Sequence, residues 1–370
     1  MASRVVENMS HFYESGKVVR HGLPGSAYTD PGFFRDEQEN VLSRHWAFAG
    51  FAHEIPAPGD VQPITLAGKP LLLVRGADHR IQVFHNVCRH RNLKLVDEKQ
   101  HCHKMITCPY HRWSYDLNGE LRLAPYFGGP KGSLPEGFDL KENGLLKVDS
   151  EVWHDWIFIN LDGSAGSFEA HIQPLKDQLG DAVVTDFLPV TTVNMGSVQC
   201  NWKLLMENFI EPYHVQFVHK TTTSQPLEDH YVVMHDHCLG SAIDLDDSDL
   251  AGKPADTLAV SSRYLTLFPN FVLGSYYPDQ IGVHLNQAID AEHTEQKRVI
   301  YLHKDSARDE AIAEGLHNLW RSVHLEDHGM CERLQQGRHS VVAEQGGLLS
   351  PHWESSVRRF QELVAEAMIR

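Results

Sequence analysis

Two stretches decide how the first half of the chain folds: Asn86-Val87-Cys88-Arg89-His90-Arg91 and, further on, Cys108-Pro109-Tyr110-His111-Arg112-Trp113. Each carries one cysteine and one histidine, and the residues around them read as short β-strands. Val61 to Leu66, Leu71 to Arg75 and Ile81 to His85 are strand-like runs separated by the turn stretches Ala67-Gly68-Lys69 and Gly76-Ala77-Asp78. Asn118-Gly119, between Trp113 to Leu117 and Glu120 to Leu123, is a hairpin signal. A Gly/Pro-rich segment, Phe127 to Gly137, precedes the strand-like Trp156 to Asn160 that closes the unit. The Cys/His pairs are therefore expected at the ends of two loops on a small antiparallel β domain.

Four soft or borderline ligands converging there point to a metal. Zinc accepts two thiolates and two imidazoles, but a zinc finger carries its histidines together on a helix. In a [2Fe-2S] cluster of Rieske type one iron takes two thiolates and the other two imidazoles, so each loop supplies one cysteine and one histidine. Cys88, His90, Cys108 and His111 fit that division. Cys102 and His103 lie between the pairs without a paired arrangement of their own and are read as non-ligands.

Outside this domain the pattern changes. Before it, following the Asp30-Pro31-Gly32 turn, Phe33, Phe34, Val41, Leu42 and Trp46 fall at roughly helical spacing, a preamble that must pack on something else. After it come strand-like runs at Val190 to Val198, Tyr231 to Val233, Tyr264 to Phe268, Phe271 to Tyr277, Ile281 to Ile289 and Arg298 to His303. A long helical stretch from about 308 to 335 and a terminal helix from about 353 complete the chain. Strands followed by helices predict an α+β fold with an antiparallel sheet flanked by helices. The expected division is an N-terminal helical segment (1–45) packing on the catalytic domain, a β domain (46–165) and the catalytic domain (166–370).

With 370 residues, 42% hydrophobic and 22% charged, the chain is long enough to bury its cores without disulfide staples. Its formal charge of −16 and lack of a basic block argue against nucleic acid or an anionic membrane as partner. No apolar stretch suits a signal peptide or a spanning helix, so the expected location is the cytoplasm. Six scattered cysteines suggest free thiols or metal ligands, and 25 histidines invite a metal without establishing one.

A second constellation lies in the run Asn201-Trp202-Lys203 to Val218-His219, which begins as an amphipathic helix and ends crowded with ligand-type residues. Glu211 and His214 are i and i+3 and would share a helical face. His214 and His219, five apart, converge only if the turn loosens, which Pro212 favours. Two imidazoles plus one carboxylate from elsewhere, with positions left open, describe the facial triad of non-heme Fe(II) oxygen-activating sites. Asp327 is the chosen third ligand, and its spacing alone does not separate it from Glu326 and Glu332.

The two constellations, in this order and in a chain of this length, resemble the oxygenase α subunit of the Rieske non-heme iron oxygenases. The likeness covers nearly the whole chain and includes the two Cys/His loops, Asn201-Trp202-Lys203, Phe268-Pro269-Asn270, and Glu326-Asp327 ahead of Cys331-Glu332 with Gln335 and Gly337. It implies that His214, His219 and Asp327 bind a mononuclear Fe(II), favouring Asp327 over its glutamate neighbours. It also implies that Glu211, counted with Asn208 among the catalytic residues, links a neighbouring subunit's cluster to that iron. Many members have Asp one residue further from the upstream Asn; the Glu here, closer to Asn208, resembles the quaternary-ammonium branch acting on choline, betaines and carnitine.

The resemblance further implies a homotrimer, a separate NAD(P)H-dependent reductase and O2 as co-substrate; no nucleotide-binding glycine motif is visible in the chain. Hydroxylation or N-demethylation of a quaternary-ammonium compound is the expected reaction. Hydroxylation, dihydroxylation or O-demethylation of an aromatic acid is the alternative. Trp202, Phe217, Tyr264, Phe268, Phe271, Tyr276 and Tyr277 are candidates for an aromatic cage around a cation. A Rieske ferredoxin needs only the β domain, and a zinc-stabilised binding module is the non-enzyme rival.

Overall fold

The computed structural model describes residues 19–180, 184–246, 248, 260–277, 279–307 and 310–369. The first 18 residues of the expected N-terminal helical segment, and the first two of the stretch from 308, lie outside them. The chain divides into two compact units, Leu42–Gly166, and Ser167–Arg370 together with Met1–Val41.

In the Leu42–Gly166 unit a seven-stranded antiparallel sheet runs Trp46–Phe51, Trp156–Asn160, Lys147–Trp153, Ile81–His85, Lys69–Arg75, Asp60–Leu66, Gln100–His101. Its strand Lys69–Arg75 reads as a continuous apolar run because both faces are covered. Leu71 and Leu73 enter one core with Val83, Ile157 and Ile159. Leu72 and Val74 enter another with Phe84, Cys88, Cys108, Trp113 and Tyr115. The Asn118-Gly119 turn joins Ser114–Asp116 to Leu121–Leu123. Gly119 sits at φ +81° against the Phe84 ring, where a Cβ would collide. The unit's ends meet: Trp46 pairs with Asn160, and Trp46 Nε1 donates to the Gly166 carbonyl at 3.0 Å. Trp46, read as part of a helical preamble, instead starts a strand; the helical face ends upstream, with Phe33 and Val41 buried in the catalytic unit's core.

The second unit is built on another seven-stranded antiparallel sheet, in the order Phe187–Val198, Thr294–His303, Gln280–Ala288, Phe271–Tyr276, Ser262–Leu267, Cys238–Ile243, His230–His235. The strand Cys238–Ile243 escaped the sequence reading because Gly240, Ser241 and Ala242 are poor β-formers. All six of its residues are buried, and even a Cβ at Gly240 would collide with the Tyr264 carbonyl. The helices Trp202–Ile210, Glu310–Arg338 and Ser355–Ile369 belong to this unit.

Asn201 caps the Trp202–Ile210 helix by accepting from the Lys203 N–H, and its Nδ2 donates to the Tyr28 and Ala291 carbonyls. The Pro31–Glu37 helix, capped by Asp30 with Pro31 in its first turn, delivers Glu37 to the same place. Glu37 lies 2.7 Å from Lys203 Nζ, with both side chains fully buried, and accepts from Trp202 Nε1 at 2.8 Å. Burial pushes the Glu37 carboxyl up and the Lys203 ammonium down, so each needs the other to stay charged.

Lys203→Met strands a carboxylate in the core and should cost about 3–5 kcal/mol of unfolding free energy, read from urea denaturation, with Glu37→Gln in the same chain restoring part of it. A loss below about 1 kcal/mol would show that the pair does not hold the helix.

Candidate metal centres and substrate cavity

The two Cys/His loops are built alike. In each, the cysteine N–H donates to the carbonyl five residues on, Leu93 or Trp113, at 2.8 Å, and its carbonyl accepts from the residue four on, Asn92 or Arg112. Those fourth residues take left-handed backbone, φ 58° and 60°. The repeated turn brings Cys88 and Cys108, both buried, into side-chain contact and sets the His90 and His111 rings 4.6 Å apart. Trp113 stacks on His90 at 4.9 Å, and Tyr115 Oη lies 3.3 Å from Cys88 Sγ. Two sulfurs inside and two half-buried imidazoles beside them suit the donor set of a [2Fe-2S] cluster of Rieske type. Cys102 packs at the edge of the same core, while His103 is exposed and contacts the His101 ring.

In the catalytic unit the Trp202–Ile210 helix ends before Pro212, and Glu211 is extended. His214 then starts a one-turn helix, Val215–Val218, and His219 follows it with non-helical backbone. The expectation that Glu211 and His214 share a helical face is replaced by a closer contact: His214 Nδ1 lies 2.6 Å from Glu211 Oε1. Glu211 Oε2 accepts from the Tyr213 and His214 N–H groups. On the other side His219 Nδ1 lies 2.7 Å from Glu326 Oε2, which also accepts from Thr222 Oγ1 at 2.7 Å.

These two carboxylates settle the tautomers. A carboxylate accepts, so each Nδ1 carries the proton and each Nε2 presents a lone pair. Both lone pairs face Asp327 Oδ1, at 3.5 Å for His214 and 3.0 Å for His219, in neither case with hydrogen-bond alignment. Ligand atoms of all three residues lie within 4.8 Å of one another. Three lone-pair donors aimed at one point repel unless a cation stands between them. Without a metal a proton takes that place: burial opposes charge on His214, yet Glu211 and Asp327 push it up to about 10, so a metal binds there by displacing a proton. Burial works to raise the Asp327 carboxyl, and the two imidazoles hold it well below the usual range instead. The residues fit a facial-triad metal.

Glu326, a competitor for the ligand position in the sequence, thus stands behind His219, and Glu332 accepts from the Gln199 N–H instead. The role of Glu326 was hidden because its partner is 107 positions away.

The triad opens on a cavity with Asn208, Phe209, Tyr264, Tyr276, Arg298 and Trp320 in its walls. Of the aromatic residues considered for a cage, Tyr264 and Tyr276 reach it. Trp202, Phe268 and Phe271 are buried core, and Phe217 and Tyr277 are exposed. Sequence reasoning missed Arg298, Trp320 and the lining histidines His230, His284 and His324, whose only signal was the histidine excess. Burial keeps these three neutral, pushing His230 down to about 4 and His324 down to about 3.

A family model described as ring hydroxylating alpha subunit (catalytic domain) matches residues 166–369, and one for the Rieske [2Fe-2S] domain matches 45–135. The chain belongs to the ring-hydroxylating α-subunit family. It is 34% identical over 200 residues to the 2-aminobenzenesulfonate 2,3-dioxygenase subunit alpha of Alcaligenes sp, covering 54% of this chain and 50% of the relative. To the glycine betaine monooxygenase oxygenase subunit of Chromohalobacter salexigens it is 31% identical over 208 residues, covering 56% and 45%. The chain thus spans about half the length of these curated relatives. In fold it is similar to the quaternary ammonium Rieske monooxygenase CntA, solved with an inhibitor, at a TM-score of 0.80 and 24% identity over 95% of this chain and 96% of that one.

Cys108→Ser should abolish the visible cluster absorption while leaving one iron per chain, and His219→Ala or Asp327→Asn should do the reverse, as read by absorption and iron analysis. Glu326→Gln, which loosens His219, should weaken mononuclear iron binding about 10–100-fold under competition by a chelator. Unfolding free energy should also fall as pH drops from about 6.5 toward 4, because the unfolded chain then binds protons that His230 and His324 refuse in the fold. His324→Gln should remove up to about 1.4 kcal/mol per pH unit from that slope, measured by urea titration.

Proposed function

We propose that the chain is the terminal oxygenase of a multicomponent system that hydroxylates a small molecule with O2 and electrons from a separate NAD(P)H-dependent reductase. The convergence of His214, His219 and Asp327 at the edge of a walled cavity carries this reading. Cys88 and Cys108 would hold one iron of the cluster and His90 and His111 the other. When bound, the cluster supplies electrons singly and the mononuclear Fe(II) activates O2 beside the substrate. One oxygen atom enters a C–H bond and the other leaves as water, consuming two electrons and two protons. At an N-methyl group the resulting hemiaminal collapses to formaldehyde and the demethylated amine.

The protein's own residues prepare the site. Glu211 and Glu326 hold the Nδ1 proton of each histidine, so both rings turn Nε2 toward the metal position. Tyr264, Tyr276 and Phe209 exclude water from the cavity. Asn208 stands in the wall beside Glu211. In the homotrimer that we infer, Glu211 joins His214 to a neighbouring subunit's cluster, so electrons cross a subunit interface.

Quaternary-ammonium substrates are the first reading, supported by the glycine betaine monooxygenase relative and by the aromatic walls of the cavity. Aromatic acids are the second, supported by the aminobenzenesulfonate dioxygenase relative.

A single turnover tests this without the reductase. The chemically reduced protein is mixed with O2 and pooled quaternary amines or pooled aromatic acids, and cluster reoxidation is followed in the visible. One pool should accelerate it, with formaldehyde released if an N-methyl group is attacked; no acceleration by any pool would overturn the oxygenase reading. Glu211→Gln should keep both metals and slow coupled reoxidation at least tenfold, and normal turnover would remove the bridging role.

A further inference from the structure

Arg298 is the one Lys or Arg among the described residues of the cavity wall, and no carboxylate among them pairs with it. It lies on the strand Thr294–His303, opposite His284 on the neighbouring strand, and is 1% exposed. Among the described residues it makes no ion pair, and its Nε and Nη2 have no hydrogen-bond partner. Asp327, the carboxylate whose field it feels, is grouped with His214 and His219 in the metal-ligand set. A guanidinium cannot shed its charge at any working pH, so the cost of burying it has to be met by something else.

The fold holds this cation in place. Its guanidinium carbon sits 3.3 Å from the centre of the Trp320 ring and 5.4 Å from that of Tyr276. Gly282 makes room for it: the guanidinium lies against this residue, where a Cβ would collide with Nε, Cζ and Nη2. Stacking of this kind returns less than the cost of an unpaired buried charge. Around the same cavity, among the described residues, His284 and His324 leave Nε2 unpartnered, and His230 leaves both ring nitrogens so. As neutral rings each can donate one N–H. Beside the guanidinium these rings add further N–H donors that a bound oxyanion can use.

We propose that Arg298 docks an oxyanion of the substrate, a carboxylate or sulfonate, and thereby selects substrates that carry an acid group in the cavity that the triad faces. Planar N–H pairs match a carboxylate two to two, and the unpartnered histidines can take the remaining lone pairs. A quaternary amine without an acid group would meet an uncompensated guanidinium, whereas a betaine brings its own counter-charge. The selection therefore falls between acid and non-acid rather than between aliphatic and aromatic. This inference rests on the oxygenase reading only in taking the cavity as the substrate site.

Calorimetric titration of the metal-loaded protein tests it, with glycine betaine against choline, benzoate against benzyl alcohol, and benzenesulfonate as the sulfonate arm. At least one acid should bind 10-fold or more tightly than its alcohol; no preference for any acid overturns the proposal. Arg298→Met should cut that preference to within about 3-fold, while Arg298→Lys restores part of it. Gly282→Ala keeps the charge but displaces the guanidinium, and should lose the preference too. Retained preference in both Arg298→Met and Gly282→Ala also overturns the proposal, provided that unchanged iron content and circular dichroism show each variant folded. Binding needs no turnover, so acid binding without coupled reoxidation would sink the oxygenase reading alone, and coupled reoxidation without acid preference would sink this one alone.

Discussion

Two carboxylates that need not touch a metal govern the catalytic unit. Glu211 and Glu326 each take the Nδ1 proton of one histidine, and so decide that His214 and His219 turn Nε2 rather than Nδ1 toward Asp327. Without them either ring could turn or change tautomer, and the three donors would cease to point at one place. Much of the local chain path serves this end. The Trp202–Ile210 helix stops at Ile210 because Pro212 follows, and the extended residue between them puts the Glu211 carboxylate beside the ring three positions on. The long helix Glu310–Arg338 carries Glu326 and Asp327 side by side, so one element supplies both the acceptor behind His219 and the ligand in front of it. That helix is in turn held to the ligand-bearing helix through Asn201, whose N–H donates to the Gln335 side chain.

The legible parts of the sequence were those where chemistry is local. The two Cys/His loops are short, their residue types are rare together, and the strands around them are marked by turns, so both the β domain and the four residues that it brings together could be read from spacing. The Asn118-Gly119 hairpin belongs to the same class. The mononuclear site was half legible. His214 and His219 stand close in sequence, but bare spacing left Asp327 level with two glutamates, and only the resemblance ranked them. Glu326 illustrates why: in sequence it is one more helix carboxylate, and its meaning depends on a contact with a residue 107 positions earlier.

The cavity walls were the least legible. Aromatic residues on strands announce themselves equally whether they face core or substrate, so Tyr264 and Tyr276 could not be told from Phe268 and Phe271. Arg298 carried no signal at all, since an arginine in an alternating strand ordinarily faces water. Its burial depends on Gly282, which lies on the adjacent strand and makes room by lacking a side chain. Absence of a group is the hardest feature to read from a chain. The missed strand Cys238–Ile243 has the same origin, because small residues were selected there by closeness to Tyr264 rather than by β-propensity.

The meeting of the β unit's two ends bears on how the catalytic unit can assemble. Trp202 and Glu37 are bonded across 165 positions of sequence, and drawing such distant points together from a disordered chain costs entropy that grows with the logarithm of the intervening length. Most of that intervening length is the β unit itself. Once it has folded, with Trp46 bonded to Gly166, its long contour contributes to the closure only the short span between its ends. The β unit then acts as a buckle: its own folding brings residues on either side of it into reach, and the catalytic unit closes over a shortened chain. A destabilised β unit would accordingly slow the maturation of the iron site that lies outside it.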